Sequence, residues 1–100
     1  MRVRYSQQAF ETIQFLMKYL VEEIKMPSTA IKYIFRMRAF GDSLATNSNT
    51  YPLCRHKQWA TQGLKCATFD KKWVFAFKAQ KNGLLVIHHI KLGKLIRNTK

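Results

Sequence analysis

His88 and His89 stand side by side in the run LLVIHHIKL (84–92), with Lys91 two residues further on and Lys65 and Lys78 in the two apolar runs that precede it. A neutral imidazole can take up a proton near pH 7, and fixed cations can stabilise charge that develops on a phosphate. In the absence of an evident metal cluster, the natural chemistry for such a set is RNase-like, with the substrate's own 2′-hydroxyl attacking the adjacent phosphate. Cys54, His56 and Cys66 with either His88 or His89 can be drawn as a zinc set, but the spacing matches no known ligand pattern. Neither a metal nor a cofactor is expected.

The dipeptide Asn82-Gly83 decides which of these groups share a face. Taken as the two central residues of a type I′ hairpin turn, it pairs Lys81 with Leu84, Phe77 with His88, Phe75 with Ile90 and Trp73 with Leu92. Adjacent residues of a strand point to opposite sides, so the two histidines are expected on different faces. His88 then joins Ala79, Val86 and the aromatic residues as a core or core-margin histidine. His89 lies opposite Ala76, on the face of Lys78 and Lys91. A two-residue turn within Asp70 to Lys72 would bring Lys65 to the same face, with small residues at Ala67 and Ala76 leaving room for a ligand. The expected site is His89 as general acid/base, with Lys65 and Lys91 stabilising the phosphate and Lys78 binding it. Lysines nearby would lower the His89 pKa and favour its base-competent form. An exposed strand face that is simply polar is the alternative these residue types leave open.

The elements that must position this face follow from periodicity. Arg2 to Tyr5 suits a short edge strand, and Ser6 a helix N-cap. Phe10, Ile13, Leu16, Met17, Leu20, Val21 and Ile24 recur at helical spacing. Pro27 ends that helix, and Ser28 can cap a second one lined by Ala30, Ile31, Ile34, Met37, Gly41 and Leu44. Residues 46–63 read as a loop, in which Arg55 and Lys57 flank His56 as ligand contacts and Trp59 serves as an anchor to the core. Strands are expected over 64–70, 73–79 and 84–91. The whole chain, 1–100, is thus one α+β domain, a helical hairpin packed on one face of a small, mainly antiparallel sheet.

The 18 Lys and Arg against 5 Asp and Glu give a net charge of +13, which calls for a polyanionic or strongly acidic partner. Only Asp70 offsets the cations of the last third, where Lys94 and Arg97 extend the basic surface beyond the final strand. No run approaches the roughly 18 apolar residues of a membrane span, and the first residues lack the apolar core of a signal peptide. A cytoplasmic location is expected, with Cys54 and Cys66 as reduced thiols.

The order of elements and the segment LKCATFDKKWVFAFKAQKNGLLVIHHIKLGKLI (64–96) resemble the RelE/ParE superfamily of type II toxin–antitoxin toxins, over nearly the whole chain. The resemblance implies a basic toxin held inactive by a cognate antitoxin. RelE-like members are ribosome-dependent mRNA interferases; ParE-like members inhibit DNA gyrase without nuclease chemistry. Lys65 matches a basic position of the RelE-like site. The arginine those toxins carry on the next strand is matched by Val74, and the one after the last strand falls at Lys94 or Leu95, with Lys94 the candidate stand-in. Their tail tyrosine has no counterpart here. A histidine near the end of the last strand matches the histidine-using interferases, His89 by facing and His88 by proximity. The resulting expectation is an mRNA interferase, with a gyrase-inhibiting toxin as the alternative and a plain nucleic-acid-binding module as a third reading.

Overall fold

Each apolar run of the sequence becomes an element in the computed structural model, which describes residues 2–94. In chain order these are β1 (Arg2–Tyr5), α1 (Gln7–Glu22), α2 (Pro27–Asn47), a 3₁₀ turn (Ser48–Thr50), α3 (Lys57–Thr61), β2 (Lys65–Phe69), β3 (Trp73–Ala79) and β4 (Leu84–Leu92). The strands form one sheet in the order β1-β4-β3-β2. β1 runs parallel to β4, and the other two pairs are antiparallel. The fold is therefore α+β with the β-α-α-β-β-β layout.

Ser6 caps α1, its Oγ accepting a hydrogen bond from the Ala9 amide at 3.1 Å. The same hydroxyl donates to the His88 carbonyl at 2.6 Å, so the cap also ties the start of α1 to β4. The second helix begins two residues earlier than a Ser28 cap would have it: Pro27 is its first residue and Met26 precedes it without a side-chain cap. Proline suits that place because its missing N–H would have no intrahelical partner there.

Ala9, Ile13 and Leu16 of α1 and Met37 and Leu44 of α2 close over Phe75, Phe77, Leu85, Ile87 and Ile90 on one face of the sheet. Burying each such large side chain contributes about 1.5–3 kcal/mol. Phe40 meets Phe75 edge to face, with ring centroids 5.2 Å apart. Ile31, expected on the inner face of α2, instead points outward with 59% of its surface exposed, and Phe10 of α1 is exposed as well. Both helices bury a narrower stripe than their apolar residues would permit.

The opposite face of the sheet is not open. Residues 46–63 do not form one long loop: α2 continues to Asn47, the 3₁₀ turn follows, and α3 lies across the second face. There Trp59, only 6% exposed, joins Cys54, Leu64 and Ala76 in a second small cluster. The anchoring role expected for Trp59 is what the structure shows. Cys54 and Cys66 are joined in a disulfide, which corrects the expectation of two reduced thiols. The backbone brings them together: Cys54 N–H donates to Leu64 O, and Cys66 N–H to Pro52 O.

Candidate functional site

Two turns set the faces of the sheet, and each is one residue longer than the sequence suggested. Gln80 pairs with Leu84 through its N–H at 2.7 Å, so the β3–β4 loop is Lys81-Asn82-Gly83 and only Gly83, with φ +77°, takes the left-handed conformation. A glycine at that last position suits a three-residue hairpin loop. Asn82 contributes by accepting from the Leu84 amide through its side-chain oxygen. The pairing near the turn is accordingly Ala79 with Leu85, Lys78 with Val86 and Phe77 with Ile87. Further along, Ala76 pairs with His89, Phe75 with Ile90 and Trp73 with Leu92, as the shorter turn would also give.

The two registers are reconciled by a bulge in which His88 is the extra residue of β4. Ile87 and Ile90, three positions apart, both enter the core beneath the helices, so the two residues between them turn to the opposite face. This corrects the placement of His88 as a core histidine: it is half-exposed and lies beside His89, with ring centroids 6.4 Å apart. A bulge re-aims side chains in this way because two residues of one strand stand opposite one of its neighbour.

The β2–β3 turn undoes another expectation. Phe69 pairs with Trp73 around Asp70-Lys71-Lys72, in which Asp70 and Lys71 have φ of 54° and 57°. The additional residue flips β2, so Lys65 pairs with Phe77 and lies on the helix face. Its Nζ donates to the Ser48 carbonyl at 3.2 Å, at the C-terminal end of α2. Lys65 is thus removed from the histidine face, and Ala67 is buried in the main core rather than leaving room for a ligand.

On the second face, His89 is held flat against Trp59, the rings 5.0 Å apart and 7° from parallel. His56 meets the Trp59 ring at 5.0 Å, and its Nδ1 is enclosed without a hydrogen-bond partner among the described residues. Burial, then the charge of Lys91, then the neighbouring His88 and His56 hold the His89 pKa below its usual 6.5. Burial, then Lys78 and Arg4, do the same for His88. At pH 7 both imidazoles are therefore held mainly neutral, the form able to accept a proton. Lys91, opposite Val74, and Lys78, opposite Val86, are exposed. Arg4 of β1 is opposite the same Val86 from the other side, so the sequence reading missed it: its nearness follows from a parallel pairing 82 residues apart in the chain.

β1 ends at Tyr5, opposite Ile87, and beyond it a small cleft of about 170 Å³ opens between α1 and β4, lined by Gln8, Thr12, His89, Ile90 and Lys91. A larger cleft of about 510 Å³ lies on the far side of α3, where Arg55, His56, Lys71 and Lys72 form a basic rim over Trp59 and Cys66. Of the other candidates, Lys57 is exposed at the start of α3, Lys94 is exposed just after β4, and Arg97 lies outside the described residues. Among the described residues, no group of three His, Cys, Asp or Glu side chains is placed to hold a metal ion. No helix of the described residues is long and apolar enough to cross a membrane. Comparison of the chain with protein-family models gives no match, and comparison with curated proteins gives none.

Proposed function

We propose that this protein is the toxin of a type II toxin–antitoxin module, acting in the cytoplasm as a ribosome-dependent mRNA interferase that a cognate antitoxin neutralises. The observation that carries the reading is His89, stacked on Trp59 with its pKa lowered and with Lys91 beside it. A neutral imidazole of fixed orientation can accept the 2′-hydroxyl proton, and cations at Lys91 and Lys78 stabilise the charge that builds on the phosphate. The β-α-α-β-β-β order and the +13 charge support the same reading. So does an apolar groove of about 460 Å³ between α1 and α2, lined by Met17, Val21 and Ile34, with Lys18 and Arg38 outnumbering Glu22 at its edge. Exposed apolar surface with a basic margin suits an amphipathic acidic segment of an antitoxin.

One observation favours the gyrase reading. Val74, which stands where RelE-like toxins carry an arginine, is packed against the second cluster and supplies no cation. The deciding experiment maps RNA 5′ ends minutes after the protein is induced without antitoxin, beside the His89→Ala variant. New cuts inside translated frames that vanish in a folded variant are expected. Growth arrest with an unchanged cut map would overturn the interferase reading and leave gyrase.

A further inference from the structure

The bulge gives β4 a property that a regular strand cannot have: two consecutive imidazoles on one face, 6.4 Å between ring centroids. We propose that His88 and His89 act as a complementary acid–base pair for RNA transesterification, with Arg4 and Lys78 holding the phosphate next to His88. The inference rests on the interferase reading above and adds a second proton carrier and an anion cradle on β1 and β3.

Transesterification requires two proton transfers on opposite sides of the phosphorus, each by a group within about 3 Å of its oxygen. One base at the 2′-hydroxyl does half of the work; the 5′-oxygen leaves as an alkoxide unless an acid supplies its proton. The rings of His88 and His89 lie side by side on one face with centroids 6.4 Å apart, so both are within reach of one substrate. His89 takes the 2′-hydroxyl proton while the 2′-oxygen forms a bond to phosphorus. The P–O5′ bond breaks, and the 5′-oxygen takes a proton from the His88 imidazolium. The products are a 2′,3′-cyclic phosphate and a 5′-hydroxyl, with no co-reactant, and exchange with water restores both imidazoles.

The surroundings differentiate the two roles. His88 faces Lys78 from β3 and Arg4 from β1, and both disfavour its charged form while the site is empty. A phosphate seated between these cations offsets their charge and lets His88 hold a proton at the moment an acid is needed. His89 faces Lys91 on its own strand, His56 and Trp59 from the α3 segment, and the neutral Gln8 and Thr12 of α1. None of these groups is anionic, and the charge of Lys91 disfavours the imidazolium, so His89 remains the base. The bulge is pinned from outside: the Ser6 hydroxyl holds the His88 carbonyl at 2.6 Å, and the Ser6 amide donates to Ile87 O at 2.9 Å.

The test uses the full chain with an mRNA oligonucleotide, free and on programmed ribosomes, and with uridine 3′-(p-nitrophenyl phosphate), whose leaving group needs no proton. Wild-type protein is expected to yield 2′,3′-cyclic ends with a bell-shaped pH profile. His88→Gln and His89→Gln, each shown to be folded by circular dichroism, are expected to lose roughly 10²–10⁴-fold in kcat on RNA. His88→Gln should lose the alkaline limb and recover on the nitrophenyl ester, whereas His89→Gln should lose the acidic limb and not recover. A His88→Gln protein with wild-type kcat and an intact bell, or one that fails on both substrates, would overturn the pair while leaving the interferase reading in place. If the wild-type protein cuts nothing, even on ribosomes, the reading and the pair fall together.

Discussion

Opening the Cys54–Cys66 disulfide tests how the second face of the sheet is held. The two cysteines are 12 positions apart, so the bridge closes a loop of 13 residues counting both ends (12 + 1). Loop-closure entropy for that length stabilises the folded chain by about 3 kcal/mol, acting through the unfolded state. At about 4–8 °C for each kcal/mol in a domain of this size, reduction should lower Tm by roughly 12–24 °C. The folded structure itself should survive, because the Cys54 amide remains bonded to Leu64 O, Leu53 still bridges to Lys65 and Trp59 remains buried against Ala76. The assay is scanning calorimetry of oxidised protein, reduced protein and the Cys54→Ser/Cys66→Ser variant, with tryptophan emission followed alongside. Reduced and doubly substituted proteins should melt together at the lower temperature, with native emission at 25 °C. A Tm that reduction leaves unchanged would refute the entropic argument, and a red-shifted emission before melting would show that the bridge, not packing, seats α3. Alkylation trapping in the producing cell bears on compartment as well, since structural disulfides persist mainly outside reducing cytoplasm.

Three further outcomes follow from the packing and titration of single groups. Gly41→Ala should cost about 1–3 kcal/mol, read as a lower urea midpoint, since a methyl there would collide with the Tyr5 hydroxyl and press on Ile87; Gly83→Ala meets no neighbour and should be destabilised only through its positive φ. Both histidines have folded pKa values below 6.5, so the unfolded chain binds more protons as pH falls past 6.5, and stability should decline there down to the folded values; a double His88→Gln/His89→Gln variant should flatten that slope in urea titrations at pH 7 to 5. Tyr5 and Tyr33 are both pushed from 10.0 up to about 12, by burial first and then by Asp42 and Asp70 respectively. Their contribution is complete below pH 10 and disappears as pH rises through about 12, so ultraviolet titration should show two tyrosines ionising late and Tyr5→Phe should remove one.

The strands and the two long helices were legible in the sequence because each carries a clear period, whereas α3, five residues long, was hidden in the segment 46–63 that reads as a loop. The Ser6 cap and the β3 bounds Trp73–Ala79 match the structure to the residue. The site was legible only in part, because it depends on turn lengths rather than on patterns. Asn82-Gly83 is strongly associated with two-residue turns, and nothing local reveals that Lys81 joins the loop. One residue there carried Val86, still buried, to the second face and Ile87 to the helix face, and the bulge at His88 restored the register for Phe75 and Ile90. The same kind of error at Asp70-Lys71-Lys72 carried Lys65 to the wrong face. His89, Lys78 and Lys91 were placed correctly because they sit where the errors cancel or have no effect. Arg4 and the cysteine pair depend on contacts between distant segments, for which a single sequence carries no signal.

The order β1-β4-β3-β2 has a consequence for when the sheet can assemble. β4, the last of the described strands in chain order, lies in the middle of the sheet and carries both histidines, while its partner on one side is β1, the first of them. Until residues 84–92 have left the ribosome, β1 has nothing to pair with, the inner stripes of α1 and α2 lack Leu85, Ile87 and Ile90, and Arg4 stands apart from any imidazole. Nonlocal pairing of this kind delays assembly of the sheet until β4 is available. In that interval the inner stripes of α1 and α2 stand uncovered, and any other apolar surface that meets them competes with β4 for the same contacts.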